Sequence, residues 1–134
     1  MKCLIVEDDF TCRRLLQAYL ADHADCFLAC NGREAIEAFT EALETGKPYD
    51  LVCLDIMMPG IDGHAVLAQL RRIEVDHGIG GLDGVKVIMT TALDDSENIF
   101  GAFRAGCEGY VVKPIEKARL LDEMEKLGLV SKVG

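Results

Sequence analysis

The sequence predicts an α/β fold in which a five-stranded parallel sheet carries helices on both faces. Short apolar runs alternate along the chain with segments whose apolar residues recur at helical spacing, the pattern of repeated strand–helix units. The chain has 134 residues, half of them hydrophobic, a size that suits one core rather than two. We therefore expect one domain over residues 1–134.

Five runs have the length and composition of strands. They are too short for helices and mostly apolar throughout, as strands covered on both faces should be. In chain order they are Cys3–Val6, Cys26–Ala29, Leu51–Leu54, Val87–Met89 and Tyr110–Val112.

Each predicted strand is followed by a segment with one apolar helical face, and we expect these faces to pack in the core. The residues are Leu15, Leu16, Tyr19 and Leu20; Ile36, Phe39 and Leu43; Val66, Leu67, Leu70 and Ile73; Ile99, Phe100 and Phe103; and Leu120, Leu121, Met124 and Leu127. Asn31 and Glu34 have the spacing of a capping pair, and Gly128 that of a helix C-cap. Residues 74–84 contain four glycines and predict an irregular connection.

Charge and composition exclude several classes of function. A net charge of −9 disfavours attraction to nucleic acid or anionic lipid. The apolar runs are far shorter than the roughly 20 residues that span a bilayer. None of the six cysteines forms a CxxC pair, so we expect mostly buried thiols rather than a zinc or redox motif. These features predict a cytoplasmic protein without nucleic-acid binding or membrane insertion.

Polar residues with complementary chemistry follow four of the predicted strands. They are Glu7–Asp9, Asp55, Thr91 and Lys113, and the carboxyl ends of parallel strands share one sheet edge. Clustered carboxylates suit Mg²⁺, and a carboxylate beside a metal, an ammonium and a hydroxyl can accept a phosphoryl group. Taken singly, the acidic run could cap a helix, Thr91 could be an ordinary strand residue and Lys113 a solvated charge.

Four motifs in this order resemble the CheY-like receiver domains of two-component response regulators. They are Leu4–Asp9, Leu54–Gly63, Met89–Ala92 and Gly109–Pro114, and together they span nearly the whole chain. The resemblance implies a flavodoxin-like (βα)5 fold with strand order 2-1-3-4-5. It also implies a phosphoprotein that acts as a signalling switch rather than a metabolic enzyme, catalysing only its own phosphorylation and dephosphorylation.

The resemblance further implies roles for individual residues. Asp55 is the expected phosphoacceptor, and Mg²⁺ is the expected cofactor. Its expected ligands are Asp8, Asp9, Asp55 and the backbone carbonyl of Met57, with Thr91 and Lys113 contacting the phosphoryl oxygens. Thr91 and Tyr110 are the expected switch residues, acting on the face of the fourth helix, fifth strand and fifth helix.

The expected phosphoryl donor is a sensor histidine kinase or a histidine phosphotransfer protein, as in a phosphorelay, and the expected output is contact with another protein. Met57 and Leu93 flank the site by the same resemblance and are both apolar. We expect them to hinder attack by water on the acyl phosphate and so to lengthen the life of the phosphorylated form.

Other interpretations stay open at this point. The chain could be a receiver domain cut from a hybrid kinase or a longer regulator. A phosphatase of the haloacid dehalogenase type also uses an aspartyl nucleophile and Mg²⁺, but it would need an acidic residue where this chain has Met57. A flavodoxin-like FMN carrier would need a phosphate loop after the first strand, where Glu7–Asp9 would repel phosphate.

Overall fold

The computed structural model describes residues 1–80, 83–92, 100–103 and 106–130. Strands and helices alternate along these residues. The strands are β1 (Lys2–Val6), β2 (Asp25–Ala29), β3 (Leu51–Asp55), β4 (Lys86–Ala92) and β5 (Gly109–Lys113). The helices are α1 (Phe10–Leu20), α2 (Gly32–Glu44), α3 (Gly63–Asp76), the helical residues 100–103 (α4) and α5 (Lys117–Lys126).

The five strands form one parallel sheet in the order β2-β1-β3-β4-β5. This confirms the predicted fold class and strand order. In such a sheet all strands end at the same edge, so the loops that follow them meet there. Among the described residues, no helix is long and apolar enough to cross a membrane.

Side chains that alternate along each strand supply two separate cores. One core lies between the sheet and helices α1 and α5, and includes Ile5, Leu16 and Leu120. The other lies between the sheet and helices α2 and α3, and includes Leu4, Phe39 and Leu67. Helices therefore cover both faces, as predicted.

Strand β2 lies at one edge of the sheet, and it is more exposed than the central strands β1 and β3. Phe27 and Leu28 in its middle are 46% and 42% exposed, whereas every residue of β3 is buried. The expectation of a strand buried on both faces is therefore wrong for β2. An apolar run indicates a strand, but its place in the sheet decides how much of it is covered.

The fourth predicted helical face is also more exposed than expected. Phe100 and Phe103 are 65% and 45% exposed, whereas Ala102 between them is fully buried. The prediction that these two aromatic side chains pack in the core is wrong, and Ile99 lies outside the described residues.

Helix α3 extends into the segment predicted to be irregular, since Glu74 and Asp76 belong to it. The Glu74 carboxylate is buried and accepts hydrogen bonds from the Val85 backbone N–H at 2.6 Å and from Arg71 at 2.8 Å. Arg71 also binds the Glu108 carboxylate at 2.8 Å. These contacts join α3 to the residues that precede β4 and β5, so they fix the start of both strands.

The two predicted caps are confirmed. Asn31 Oδ1 accepts the Glu34 N–H at 2.9 Å, and the Glu34 carboxylate accepts the Cys30 N–H at 2.9 Å. Gly128 has a φ of 75° two residues after Lys126, the last residue of α5, a conformation that glycine adopts without a Cβ clash.

Candidate functional site

Three charged side chains from three strands meet at the carboxyl edge of the sheet. Glu7 directly follows β1, Asp55 ends β3 and Lys113 ends β5. Lys113 Nζ lies 2.7 Å from Glu7 Oε1 and 3.3 Å from Asp55 Oδ2. The lysine therefore bridges the two carboxylates across the intervening strand β4.

Asp55 is a buried carboxylate at the centre of this group, only 2% exposed. One of its oxygens, Oδ1, accepts the Met57 backbone N–H at 3.2 Å, and the other faces Lys113. Burial and the hydrogen bond to Glu7 raise the pKa of Asp55 from 3.8 to about 7, against the opposing effect of Lys113. One ammonium therefore does not balance the negative charge gathered here.

Glu7 is fully buried, yet the charged form of its carboxylate is favoured. Burial alone would raise the pKa of Glu7, but hydrogen bonds to Asp55 and Lys113 outweigh burial and lower it to about 2. Burial likewise disfavours the charged form of Lys113, and Glu7 and Asp55 nevertheless raise its pKa. Glu7 and Lys113 thus each favour the charged form of the other, whereas burial and Glu7 disfavour the charged form of Asp55.

The exposed Asp8 completes an acidic cluster with Glu7 and Asp55. One carboxylate oxygen from each residue lies within 4.8 Å of the other two. Mg²⁺ takes oxygen ligands, commonly one or two carboxylates together with water. The donor set and the raised pKa of Asp55 both fit a divalent cation held by these three residues.

Asp9, a predicted metal ligand, lies outside this group of three carboxylates. Its carboxylate caps α1, accepting the Cys12 backbone N–H at 2.8 Å. Glu7 was not among the metal ligands predicted from the acidic run. The position of Glu7 directly after the buried strand β1 indicates a side chain at the sheet edge. The position of Asp9 one residue before α1 indicates a helix cap.

Arg13 was also not predicted from the sequence as a site residue. Its side chain stabilises the loop that carries the acidic residues. Its guanidinium donates to the backbone carbonyl of Glu7 at 2.9 Å and to that of Asp8 at 3.4 Å. The guanidinium carbons of Arg13 and Arg14 lie 5.5 Å and 5.8 Å from the centroid of the Phe10 ring.

The loop after Asp55 is held close to the start of α3. Gly63 donates its backbone N–H to the Ile56 carbonyl at 2.8 Å. A Cβ at position 63 would collide with the Asp55 carbonyl oxygen and would lie 2.7 Å from the Ile56 Cα. Only glycine fits at this point, so Gly63 allows the helix to approach the strand end that presents Asp55.

Thr91 lies near the end of β4, one residue beyond Thr90, which is the register partner of Asp55. Thr91 is 1% exposed. The next residue, Ala92, pairs with Lys113. The strand register therefore brings the predicted hydroxyl residue to the same edge as the carboxylates and the lysine.

The remaining predicted residues differ in exposure. Met57 donates its backbone N–H to Asp55, and its side chain is 64% exposed. Tyr110 is half-buried and packs edge to face against Phe103, with ring centroids 5.8 Å apart. Leu93 lies outside the described residues.

Comparison with known proteins agrees with this geometry. Residues 3–125 match the family model of the response regulator receiver domain. The regulatory protein VanRB of Enterococcus faecalis is 36% identical over 95% of this chain and 52% of its own length. The transcriptional regulatory protein AruR of Pseudomonas aeruginosa is 35% identical over 94% of this chain and 48% of its own length. The chain thus spans about half the length of these curated relatives.

Solved structures show the same fold. The receiver domain of the Francisella response regulator 1452 superposes with a TM-score of 0.74 at 27% identity, covering 94% of both chains. The family match covers nearly the whole chain and includes every strand that contributes to the site. The chain therefore belongs to the response regulator receiver domain family of two-component signalling.

Proposed function

We propose that this domain is a Mg²⁺-dependent phosphorylation switch in which Asp55 accepts the phosphoryl group. One observation carries the proposal: Asp55 is a buried carboxylate at the open edge of the sheet, flanked by an ammonium and by two further carboxylates. Phosphoryl transfer needs charge neutralisation and alignment more than acid–base help. Lys113 and a cation held by the carboxylates would supply the positive charge.

The donor is a phosphohistidine of a sensor histidine kinase or of a histidine phosphotransfer protein. A carboxylate oxygen of Asp55 attacks the phosphorus atom, the phosphorus–nitrogen bond breaks, and the imidazole leaves with its electron pair. Lys113 and the Thr91 hydroxyl face the charge that the phosphoryl oxygens carry. When bound by Glu7, Asp8 and Asp55, with the Met57 carbonyl as a further ligand, Mg²⁺ neutralises that charge. Asp9 keeps its capping role.

Ionisation of Asp55 is the first requirement of this reaction. In the metal-free domain the carboxylate holds a proton more tightly than an ordinary aspartate, because it is buried beside Glu7. A cation held at the cluster would favour the charged form of Asp55, whose oxygen is the nucleophile. Lys113 already pairs with Glu7 at 2.7 Å, so it stands ready to contact the incoming phosphoryl group.

The switch follows from the charge added at Asp55. A phosphoryl group brings about 1.5–2 negative charges, which draws the Thr91 hydroxyl toward it. Tyr110 then changes its packing against Phe103, altering the face formed by α4, β5 and α5. This face is the output surface, and a protein partner that prefers the altered form shifts the population toward it.

The setting of the switch is proposed from the family. The domain acts in the cytoplasm as a single receiver over residues 1–134, and its output is protein contact rather than direct binding of nucleic acid, which its net charge of −9 disfavours. It catalyses its own phosphorylation and its own slow dephosphorylation. The family match does not favour a haloacid dehalogenase-type phosphatase.

Intact mass spectrometry after incubation with acetyl phosphate tests the proposal. The wild type should gain the mass of one phosphoryl group only when Mg²⁺ is present, and the Asp55→Asn variant should gain none. Asp62→Asn is a matched control, because Asp62 is an exposed carboxylate that caps α3. Equal gain in wild type and Asp55→Asn, or no gain with acetyl phosphate or any kinase supplied, would contradict the proposal.

A further inference from the structure

Three cysteines from neighbouring strands lie on the same face of the sheet. Cys3, Cys26 and Cys53 belong to β1, β2 and β3 and contribute to the core beneath α1 and α5. Cys3 and Cys26 are direct register partners on neighbouring parallel strands. They lie near the beginning of their strands, whereas Glu7 and Asp55 lie at the other end.

The thiols of Cys3 and Cys26 are close enough to shift each other's pKa, and Cys53 also raises the pKa of Cys3. Neighbouring parallel strands lie about 4.7–4.9 Å apart, and disulfides join Cα atoms about 4.4–6.8 Å apart. Register partners on adjacent strands thus meet the distance requirement of a disulfide without a change of fold.

The two thiols differ in access to solvent. Cys3 is fully buried, whereas Cys26 is half-buried on the edge strand. The hydrogen bond from Cys3 lowers the pKa of Cys26, and the same contact raises that of Cys3. Burial raises the pKa of Cys12 to about 12 and that of Cys107 to about 11. Peroxide-reactive cysteines are accessible to solvent and often have a second thiol beside them, and Cys26 meets both conditions.

We propose that Cys3 and Cys26 are a site of reversible oxidation, at which a hydroperoxide converts the two thiols into a disulfide joining β1 to β2. The Cys26 thiolate attacks one peroxide oxygen, the oxygen–oxygen bond breaks, and Cys26 becomes a sulfenic acid as water leaves. The Cys3 sulfur then attacks Cys26 Sγ, the sulfur–oxygen bond breaks and a second water leaves. Two thiols and one hydrogen peroxide thus give one disulfide and two waters.

Cys53 is the less suitable partner. It pairs in register with Ile5, two residues along β1 from Cys3. Cys53 and Cys3 are both fully buried, so neither presents a sulfur to an oxidant in solvent. The pair that combines contact with access is Cys3–Cys26.

The sequence allows an unambiguous test. Trypsin releases residues 3–13 and 15–33, and each peptide contains two cysteines. In the variant Cys12→Ser/Cys30→Ser, each peptide keeps one cysteine, and both residues of the pair are retained. The folded variant is treated with hydrogen peroxide, alkylated with N-ethylmaleimide in denaturant, digested and analysed by tandem mass spectrometry.

We expect a disulfide between residues 3–13 and 15–33 within one molecule, which dithiothreitol removes. The oxidised wild type should take two fewer maleimide groups than the six of the reduced chain. In Cys3→Ala, dimedone should trap the sulfenic acid on Cys26. The same treatment in urea is the control, because links then form without regard to the strand register. Free Cys3 beside an unmodified or over-oxidised Cys26 in the folded double variant, or a link only between molecules, would overturn the proposal.

Discussion

Removing the charge of Asp55 should abolish most of the pH dependence of stability that the metal-free domain shows above pH 5. Burial and Glu7 raise the pKa of Asp55 from 3.8 to about 7. The folded chain therefore binds this proton more tightly than the unfolded chain, and stability falls as pH rises through the interval between these values. Glu7 acts in the opposite sense, because its pKa is lowered from 4.5 to about 2. Its contribution is complete by about pH 5, so it does not alter the slope above that pH.

The magnitude follows from the linkage of proton binding to folding. A pKa difference of one corresponds to about 1.4 kcal/mol. With a folded pKa near 7, the free energy of unfolding should fall by roughly 2–3 kcal/mol between pH 5 and pH 8. In Asp55→Asn this group no longer titrates, so the fall should largely vanish. Saturating Mg²⁺ should also reduce the slope in the wild type, because the cation takes the place of the proton.

Urea denaturation in EDTA, followed by far-ultraviolet circular dichroism, measures this effect, since the chain has no tryptophan. Asp22→Asn is the control for loss of one negative charge, because Asp22 is exposed in the turn after α1. The control should keep the slope of the wild type. A wild-type stability that stays flat from pH 5 to pH 8, or an unchanged slope in Asp55→Asn, would refute the reasoning.

Three further predictions concern the surroundings of Asp55. Asp8→Asn should weaken Mg²⁺ binding measured by calorimetry. Asp9→Ala should leave Mg²⁺ binding nearly unchanged and should destabilise the metal-free fold by about 1 kcal/mol, because the α1 cap is lost. The reverse pattern would indicate that Asp9 is the metal ligand. Arg13→Gln should weaken Mg²⁺ binding roughly 3- to 10-fold relative to Arg14→Gln. Both variants lose one positive charge, but only Arg13 donates hydrogen bonds to the backbone carbonyls of the acidic loop. Equal Mg²⁺ affinities in the two variants would contradict this role of Arg13. Met57→Asn should shorten the lifetime of the phosphorylated form, which intact mass spectrometry follows. If the wild-type lifetime is only seconds and the variant has the same lifetime, Met57 does not shield the acyl phosphate from water.

The fold and much of the site could be predicted because both depend on where apolar runs end. Asp55, Thr91 and Lys113 each come at or near the end of such a run, and in a parallel sheet those ends meet at one edge. Glu7 and Asp9 could not be told apart in this way. Three consecutive acidic residues join β1 to α1, and a difference of one residue in the helix start decides which carboxylate caps and which is buried.

The sequence did not predict the burial of side chains whose partners lie far away along the chain. The helical spacing of Phe100 and Phe103 indicates a shared face, but it does not show whether another element covers that face. Glu74 looked like part of a polar connection, yet its carboxylate is buried because it receives the Val85 backbone N–H from the chain that precedes β4. Such a partner, eleven residues away, has no local signal.

The central claim, that Asp55 itself carries the phosphoryl group, is tested most directly by chemical trapping. Borohydride reduces an aspartyl phosphate to homoserine, and tandem mass spectrometry then locates the modified position. After incubation with acetyl phosphate and Mg²⁺, we predict homoserine at position 55, and none when EDTA replaces Mg²⁺. Homoserine at another acidic position, or a phosphorylated chain that yields none, would contradict the account.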